Sequence, residues 1–250
     1  MTEVFVTNFN PNFTGVSATA AGVLAVQRRD LDVALVGEAL PGWAEPISRK
    51  AALAACRVAP EGRPFAIWHV RRNPEMRVAI WARDVLRRPI RIVFTSAAQR
   101  YHSMYPRWLI SRMDGVIATT PEAAKFVPHV KAVVPHGVDV SRFAPGADRA
   151  ADWAALGYGG TVGLATVGRV RPEKGTDLFV EAMIGVLPDH PGAVALVIGK
   201  ATREHQSFER ELKAKVAAAG LTGRILFVGE LSPERFPDVL RGISLLVAMP

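Results

Sequence analysis

Gly168-Arg169-Val170-Arg171-Pro172-Glu173-Lys174-Gly175-Thr176-Asp177-Leu178-Phe179-Val180-Glu181-Ala182 decides the reading of this 250-residue chain. Two cations, Arg169 and Lys174, lie between Gly168 and Gly175, and Pro172 stiffens the turn that holds them. Upstream, Val162 to Val167 is an apolar run with strand character. From Asp177 to Leu187, the residues Leu178, Phe179, Ala182, Met183 and Val186 recur at helical spacing, and Thr176 stands where an N-cap is expected. Open α/β sheets present anionic ligands in such a loop, outside the carboxyl end of a strand and against a helix N-terminus whose N–H groups add positive charge. The pattern fits a diphosphate pocket. It is neither a Walker loop nor a dinucleotide turn, since Gly-x-x-x-x-Gly-Lys-Ser/Thr and Gly-x-Gly-x-x-Gly are both missing.

Outward from this loop, strand-like and helical runs alternate. Glu3 to Asn8, Asp32 to Glu38, Phe65 to Val70, Arg91 to Thr95, Gly115 to Thr119 and Lys131 to Val134 read as strands, which predicts a parallel sheet with right-handed crossovers. Thr120-Pro121-Glu122 and Asn73-Pro74-Glu75 each read as a cap, a first-turn proline and an acid at a helix start. Residues 140 to 160 collect Pro, Gly and polar side chains, so the expected organisation is a first domain over 1–145, a linker over 146–160 and a second domain over 161–250. After the linker, strands begin at Val162, Ala193 and Arg224 and helices at Asp177, Glu204 and Pro233; Ile243 to Ala248 reads as a buried strand. A second doubly wound domain needs on the order of 100 residues or more, so the 90 residues of 161–250 predict an incomplete copy with low or no turnover by itself.

The formal net charge of +8 is carried by the first part of the chain. Through Ala150 there are 20 Lys and Arg against 12 Asp and Glu; from Ala151 onward there are 11 of each. Between Arg57 and Arg112, 12 Arg face only Glu61, Glu75 and Asp84, a block able to attract anionic lipid, an acidic substrate or nucleic acid. Nucleic acid is the weakest of these, because no recognised motif organises the cations. Cys56 is the sole cysteine and reads as a packed small residue, and no cysteine cluster is present for a structural zinc. No apolar run reaches about 18 residues and the first ten carry no positive n-region, so a cytoplasmic protein is expected.

Three segments together resemble glycosyltransferase family four, nucleotide-sugar-dependent enzymes of the GT-B fold. They are residues 168–182, the segment Val134-Pro135-His136-Gly137-Val138-Asp139 with Phe143 and Pro145, and Arg224 to Pro250. The resemblance implies two Rossmann-like doubly wound parallel-sheet domains facing a cleft, with the cations at Arg169 and Lys174 binding the donor diphosphate and serving as the catalytic pair. Gly15, Gly168, Arg169, Lys174 and Gly199 are the expected donor-binding residues. The family also carries a Glu followed eight positions later by another Glu, beyond the last strand read here, and neither is assigned in this chain. Many members have a His directly after the strand matching Arg91 to Phe94; Phe94-Thr95-Ser96 stands there instead.

On the acceptor side the candidates are His69, Arg71, Arg72, Arg100 and His102, read as loop residues after strands, with His69 at a sheet edge. The loop Asn10 to Ser17 follows the first strand, and Thr14 or Ser17 would cap the helix after it. No paired carboxylates share a loop, which argues against a two-acid hydrolase. Val6 to Thr19, Trp68 to Met76 and Phe94 to Arg100 resemble lipopolysaccharide inner-core mannosyltransferases. That implies a retaining hexosyltransferase moving mannose from GDP-mannose to an anionic glycolipid at the cytoplasmic face of the inner membrane, with no permanent cofactor and no required metal. Two alternatives stand beside it: another enzyme of the fold, such as a nucleotide-sugar epimerase or sugar-phosphate synthase, and a non-catalytic lipid- or nucleic-acid-binding module.

Overall fold

The structure, a computed structural model, describes residues 1–43 and 45–248. The chain divides into two compact units, Met1–Val138 and Asp139–Pro250.

The first unit opens with β1 (Val4–Asn8), α1 (Gly15–Gln27), β2 (Val33–Gly37), α2 (Arg49–Ala55), β3 (Ala66–Val70) and α3 (Asn73–Ile80). It continues with β4 (Ile90–Ser96), α4 (Met104–Ser111), β5 (Gly115–Ala118), α5 (Pro121–Ala124) and β6 (Val130–Val133). All six strands pair in parallel, in the order β2-β1-β3-β4-β5-β6. Side chains alternate along a strand. In β1, Val4 and Val6 pack with Ala20 and Leu24 of α1, while Phe5 packs with Trp68 and with Met76 and Ala79 of α3. Helices therefore cover both faces, and the order reverses between β1 and β3, the switch point at which doubly wound sheets bind ligands. Cys56 is buried in this core, and burial raises its thiol pKa.

The second unit holds α6 (Arg149–Leu156), β7 (Val162–Val167), α7 (Thr176–Val186), β8 (Ala193–Ile198), α8 (Gln206–Ala218), β9 (Ile225–Gly229), α9 (Phe236–Gly242) and β10 (Leu245–Leu246). Its parallel order is β10-β7-β8-β9, with α7 and α8 on one face and α6 and α9 on the other. The expected linker is largely this helix α6. Asp148 caps it by accepting from the N–H groups of Ala150 and Ala151, and Gly157, left-handed at φ 73°, ends it. Trp153 is 2% exposed, donates from Nε1 to the Gly159 carbonyl at 2.9 Å and lies over Gly163, where any Cβ would meet its ring. Burying an indole is worth about 2–3 kcal/mol, so residues that read as a polar spacer belong to a core. The expected buried strand 243–248 is also different: among the described residues Leu245 and Leu246 pair with β7, flanked by bonds from Ser244 N to Gly163 O and Val247 N to Ala165 O, and both leucines are at least half exposed. Met249 and Pro250 lie outside the described residues. Among the described residues no helix is long and apolar enough to cross a membrane.

Candidate functional site

At the carboxyl end of β7 the backbone is staggered by hydrogen bonds from Gly168 N to Ile198 O at 2.9 Å and from Gly199 N to Gly229 O at 2.8 Å. Gly199 has φ 142°, and a Cβ there would collide with the Gly168 carbonyl, so the two loops approach only because residue 199 lacks a side chain. Val170, 1% exposed, pins the loop to the core, and Pro172–Lys174 form one 3₁₀ turn closed by Gly175 N to Pro172 O at 2.8 Å. Gly175, left-handed at φ 59°, is the N-cap of α7; Thr176, expected there, is the first helical residue and is buried. A left-handed junction lets the chain turn into the helix within one residue, which a capping threonine could not do.

The geometry sorts the charges of this loop. Arg171 and Glu173 face each other at 3.6 Å and offset one another. Arg169 and Lys174 are exposed and, among the described residues, have no acidic partner, while the Lys174 stem runs beside Gly168. Two uncompensated cations beside a helix N-terminus leave a local positive field of the kind that attracts anions. Gly168, Arg169, Lys174 and Gly199 are therefore brought together.

In the first unit a cluster forms at the switch point, and its centre is Glu75. That carboxylate, fully buried, accepts from the N–H groups of Arg71 at 2.7 Å, Arg72 at 3.1 Å and Phe9 at 3.3 Å, and Thr7 Oγ1 lies 3.0 Å away. Arg72 Nη1 donates to Glu75 at 3.3 Å and to Asn8 Oδ1 at 3.0 Å; its Nη2 donates to Thr14 Oγ1 at 2.9 Å and Ser17 Oγ at 3.1 Å. Arg72 thus ties β3 and α3 to the turn that holds Gly15, which Thr14 caps by accepting from Ser17 N. Arg72, rather than Asn73, occupies the N-cap of α3, because the N3 carboxylate of Glu75 accepts from its backbone N–H.

His69 is the clearest departure from expectation. It lies inside the central strand β3, 6% exposed, and not in a loop at a sheet edge. Arg71 can only donate, so the Arg71 Nη2 contact at 3.4 Å makes His69 Nδ1 an acceptor, and Nε2 carries the proton it shares with Thr95 Oγ1 at 2.7 Å. Burial first, and the Arg71 charge second, hold the imidazole pKa well below its usual value. Arg71 is itself buried, which lowers its pKa to about 10, and its Nε and Nη1 have no partner among the described residues. Arg100 and His102 do lie in the loop after β4, apart from this hydrogen-bonded cluster; burial, then Arg100, lowers the His102 pKa.

The arginine block between Arg57 and Arg112 is not one open surface. Arg63 pairs with Glu3, Arg72 with Glu75, Arg83 and Arg91 with Asp114, and Arg112 with Asp84, whose pKa falls to about 2 chiefly through Arg83. Glu75, Asn8 and Thr95 are the residues that sequence reasoning missed as site members. Glu75 was visible only as a helix-start acid, and the polar Thr7 and Asn8 ending an otherwise apolar strand were the available signal.

Residues 159–250 match the family model described as "Glycosyl transferases group 1". The chain is 45% identical over 248 residues to the lipopolysaccharide core biosynthesis mannosyltransferase LpsB of Rhizobium meliloti (strain 1021), covering 98% of this chain and 70% of the relative. It is 42% identical over 252 residues to the corresponding mannosyltransferase LpcC of Rhizobium leguminosarum bv. viciae, covering 98% and 69%. The crystal structure of Anabaena Alr3699/HepE in complex with UDP and glucose superposes with a TM-score of 0.77 at 13% identity, over 100% of this chain and 74% of that one. The chain belongs to the group 1 glycosyl transferases. Its fold is of the GT-B class, and its activity class is transfer of a sugar from a nucleotide-sugar donor.

Proposed function

We propose that this chain is a retaining mannosyltransferase that moves mannose from GDP-mannose to the inner core of a lipopolysaccharide acceptor at the cytoplasmic face of the inner membrane. The observation that carries the reading is its identity, over 98% of its length, to two proteins named as lipopolysaccharide core mannosyltransferases. The exposed pair Arg169 and Lys174 supplies the chemistry. When the glycosyl phosphate bond breaks, negative charge grows on the departing diphosphate, and fixed cations stabilise that transition state more than the ground state. In this reading they take the task a divalent ion performs elsewhere, so turnover persists in EDTA. Gly15 serves the donor, and Arg71, Arg72, Arg100 and His102 serve the anionic acceptor, while the buried His69 positions Thr95 and Arg71.

Calorimetry of the chain against GDP, UDP and GMP tests the proposal. GDP is expected to bind more tightly than GMP, the difference to disappear in Arg169→Ala, and UDP to bind more weakly than GDP. Equal affinity for GDP and GMP would remove the diphosphate site, and preference for UDP would overturn the donor assignment.

A further inference from the structure

The outer face of α4 carries a patch that the transfer chemistry does not use. Leu109 and Ile110 of this helix enter the core, leaving Met104 at 86%, Tyr105 at 49% and Trp108 at 55% exposure, and Tyr101 in the preceding loop is 72% exposed. Single exposed apolar residues are ordinary, but four large ones on one helix and the loop before it mark a contact surface. The rings are ordered: Tyr105 stacks with Trp108 at 6.3 Å and 17°, and Tyr101 meets Phe126 edge-on at 5.0 Å. From Val85 to Met113 the chain carries six Arg and no acid. Arg100 and Arg107 flank the aromatics and, among the described residues, pair with no carboxylate, whereas Arg112 is held by Asp84 at 2.8 Å.

We infer that the α4 face, with Tyr101, Met104, Tyr105 and Trp108 inserting and Arg100 and Arg107 at their rim, is the surface by which this protein docks on an anionic lipid bilayer. Tyr and Trp carry an apolar body and a polar edge suited to the boundary between headgroups and acyl chains, and nearby arginines are attracted by anionic headgroups. A second copy of the chain fits poorly, because a two-fold contact would set two acid-free arginine rims against each other. The inference rests on the membrane-facing part of the proposed function, but its test needs no nucleotide sugar, so the two readings fail separately.

The test is co-sedimentation of the full chain with phosphatidylglycerol–phosphatidylethanolamine vesicles and with phosphatidylcholine vesicles. Met104→Ser with Tyr105→Ala and Trp108→Ala should weaken vesicle binding about ten-fold or more. Arg107→Gln should weaken binding to the anionic vesicles by about five-fold and leave the neutral ones unchanged. Met104, Tyr105, Arg107 and Trp108 are all exposed, so circular dichroism and GDP calorimetry should match the parent chain. Vesicle binding that survives the triple substitution would overturn the inference. So would a dimer dissociated by the same substitutions, or binding of polyuridylate in place of vesicles.

Discussion

In the second unit Arg169 and Lys174 stand exposed at the end of β7 with no acidic partner among the described residues, whereas in the first unit Arg71 and Arg72 sit at the end of β3 wrapped around a buried carboxylate. Both pairs lie where a parallel sheet reverses its strand order. The difference is in what the charge is free to do. The field of the exposed pair is not offset by an acid, while most of the inner pair's hydrogen bonds hold two strands, a helix and the Gly15 turn in register. A basic residue at a switch point can therefore be a ligand contact or a structural clamp, and the acids around it decide which.

Glu75→Gln should break this contrast most severely. The substitution keeps the shape but leaves two arginines, one of them buried, without their counter-charge, and losing one member of a buried ion pair costs about 3–5 kcal/mol. Urea unfolding followed by hydrogen exchange should show β1 and β3 opening early while β7 and β8 keep their protection. Equal loss in both units would mean that the carboxylate does not belong to the first unit's clamp alone.

Arg169→Ala should do the opposite, leaving stability near that of the parent while weakening GDP binding. A charge-assisted contact is worth about 1.5–3 kcal/mol, or roughly ten- to a hundred-fold in Kd. Arg169→Lys should recover only part of it, because an ammonium cannot reproduce the planar two-pronged donor. Gly199→Ala sharpens the comparison from the backbone side. Its Cβ meets the Gly168 carbonyl at a φ that L residues avoid, so a cost of about 1–3 kcal/mol is expected in thermal unfolding, with GDP affinity falling as the Gly168 loop is displaced.

The same contrast explains what the residues told in advance. The Arg169–Lys174 loop was legible because its glycines, proline and flanking apolar runs are local signals, all between Val162 and Leu187. The alternation of strands and helices was legible for the same reason. The clamp was not, because Thr7, Asn8, Thr14, Ser17 and Glu75 meet only once β1 lies beside β3, and a histidine before two arginines looks the same whether it ends a strand or begins a loop. Helix α6 was hidden by the glycines and prolines around it, although Asp148 and Gly157 mark its two ends and Trp153 its buried side.

The smallest expected effect concerns His69, and it separates a structural imidazole from one that works by exchanging protons. With its pKa held well below 6.5 in the fold, His69 stays neutral while the unfolded chain takes up a proton as pH falls through that value. The unfolded state then binds more protons, so stability drops on acidification with a slope approaching about 1.4 kcal/mol per pH unit below pH 6.5 and is unaffected above it. His69→Gln can accept from Arg71 and donate to Thr95 without titrating. Urea midpoints measured across the acid range should therefore lose this part of their pH dependence in the variant, while stability near neutrality changes little. If the variant keeps the parent's acid slope, the histidine is not the group responsible. If it instead loses transfer activity at neutral pH with its stability intact, the imidazole's proton belongs to the chemistry and not only to the clamp.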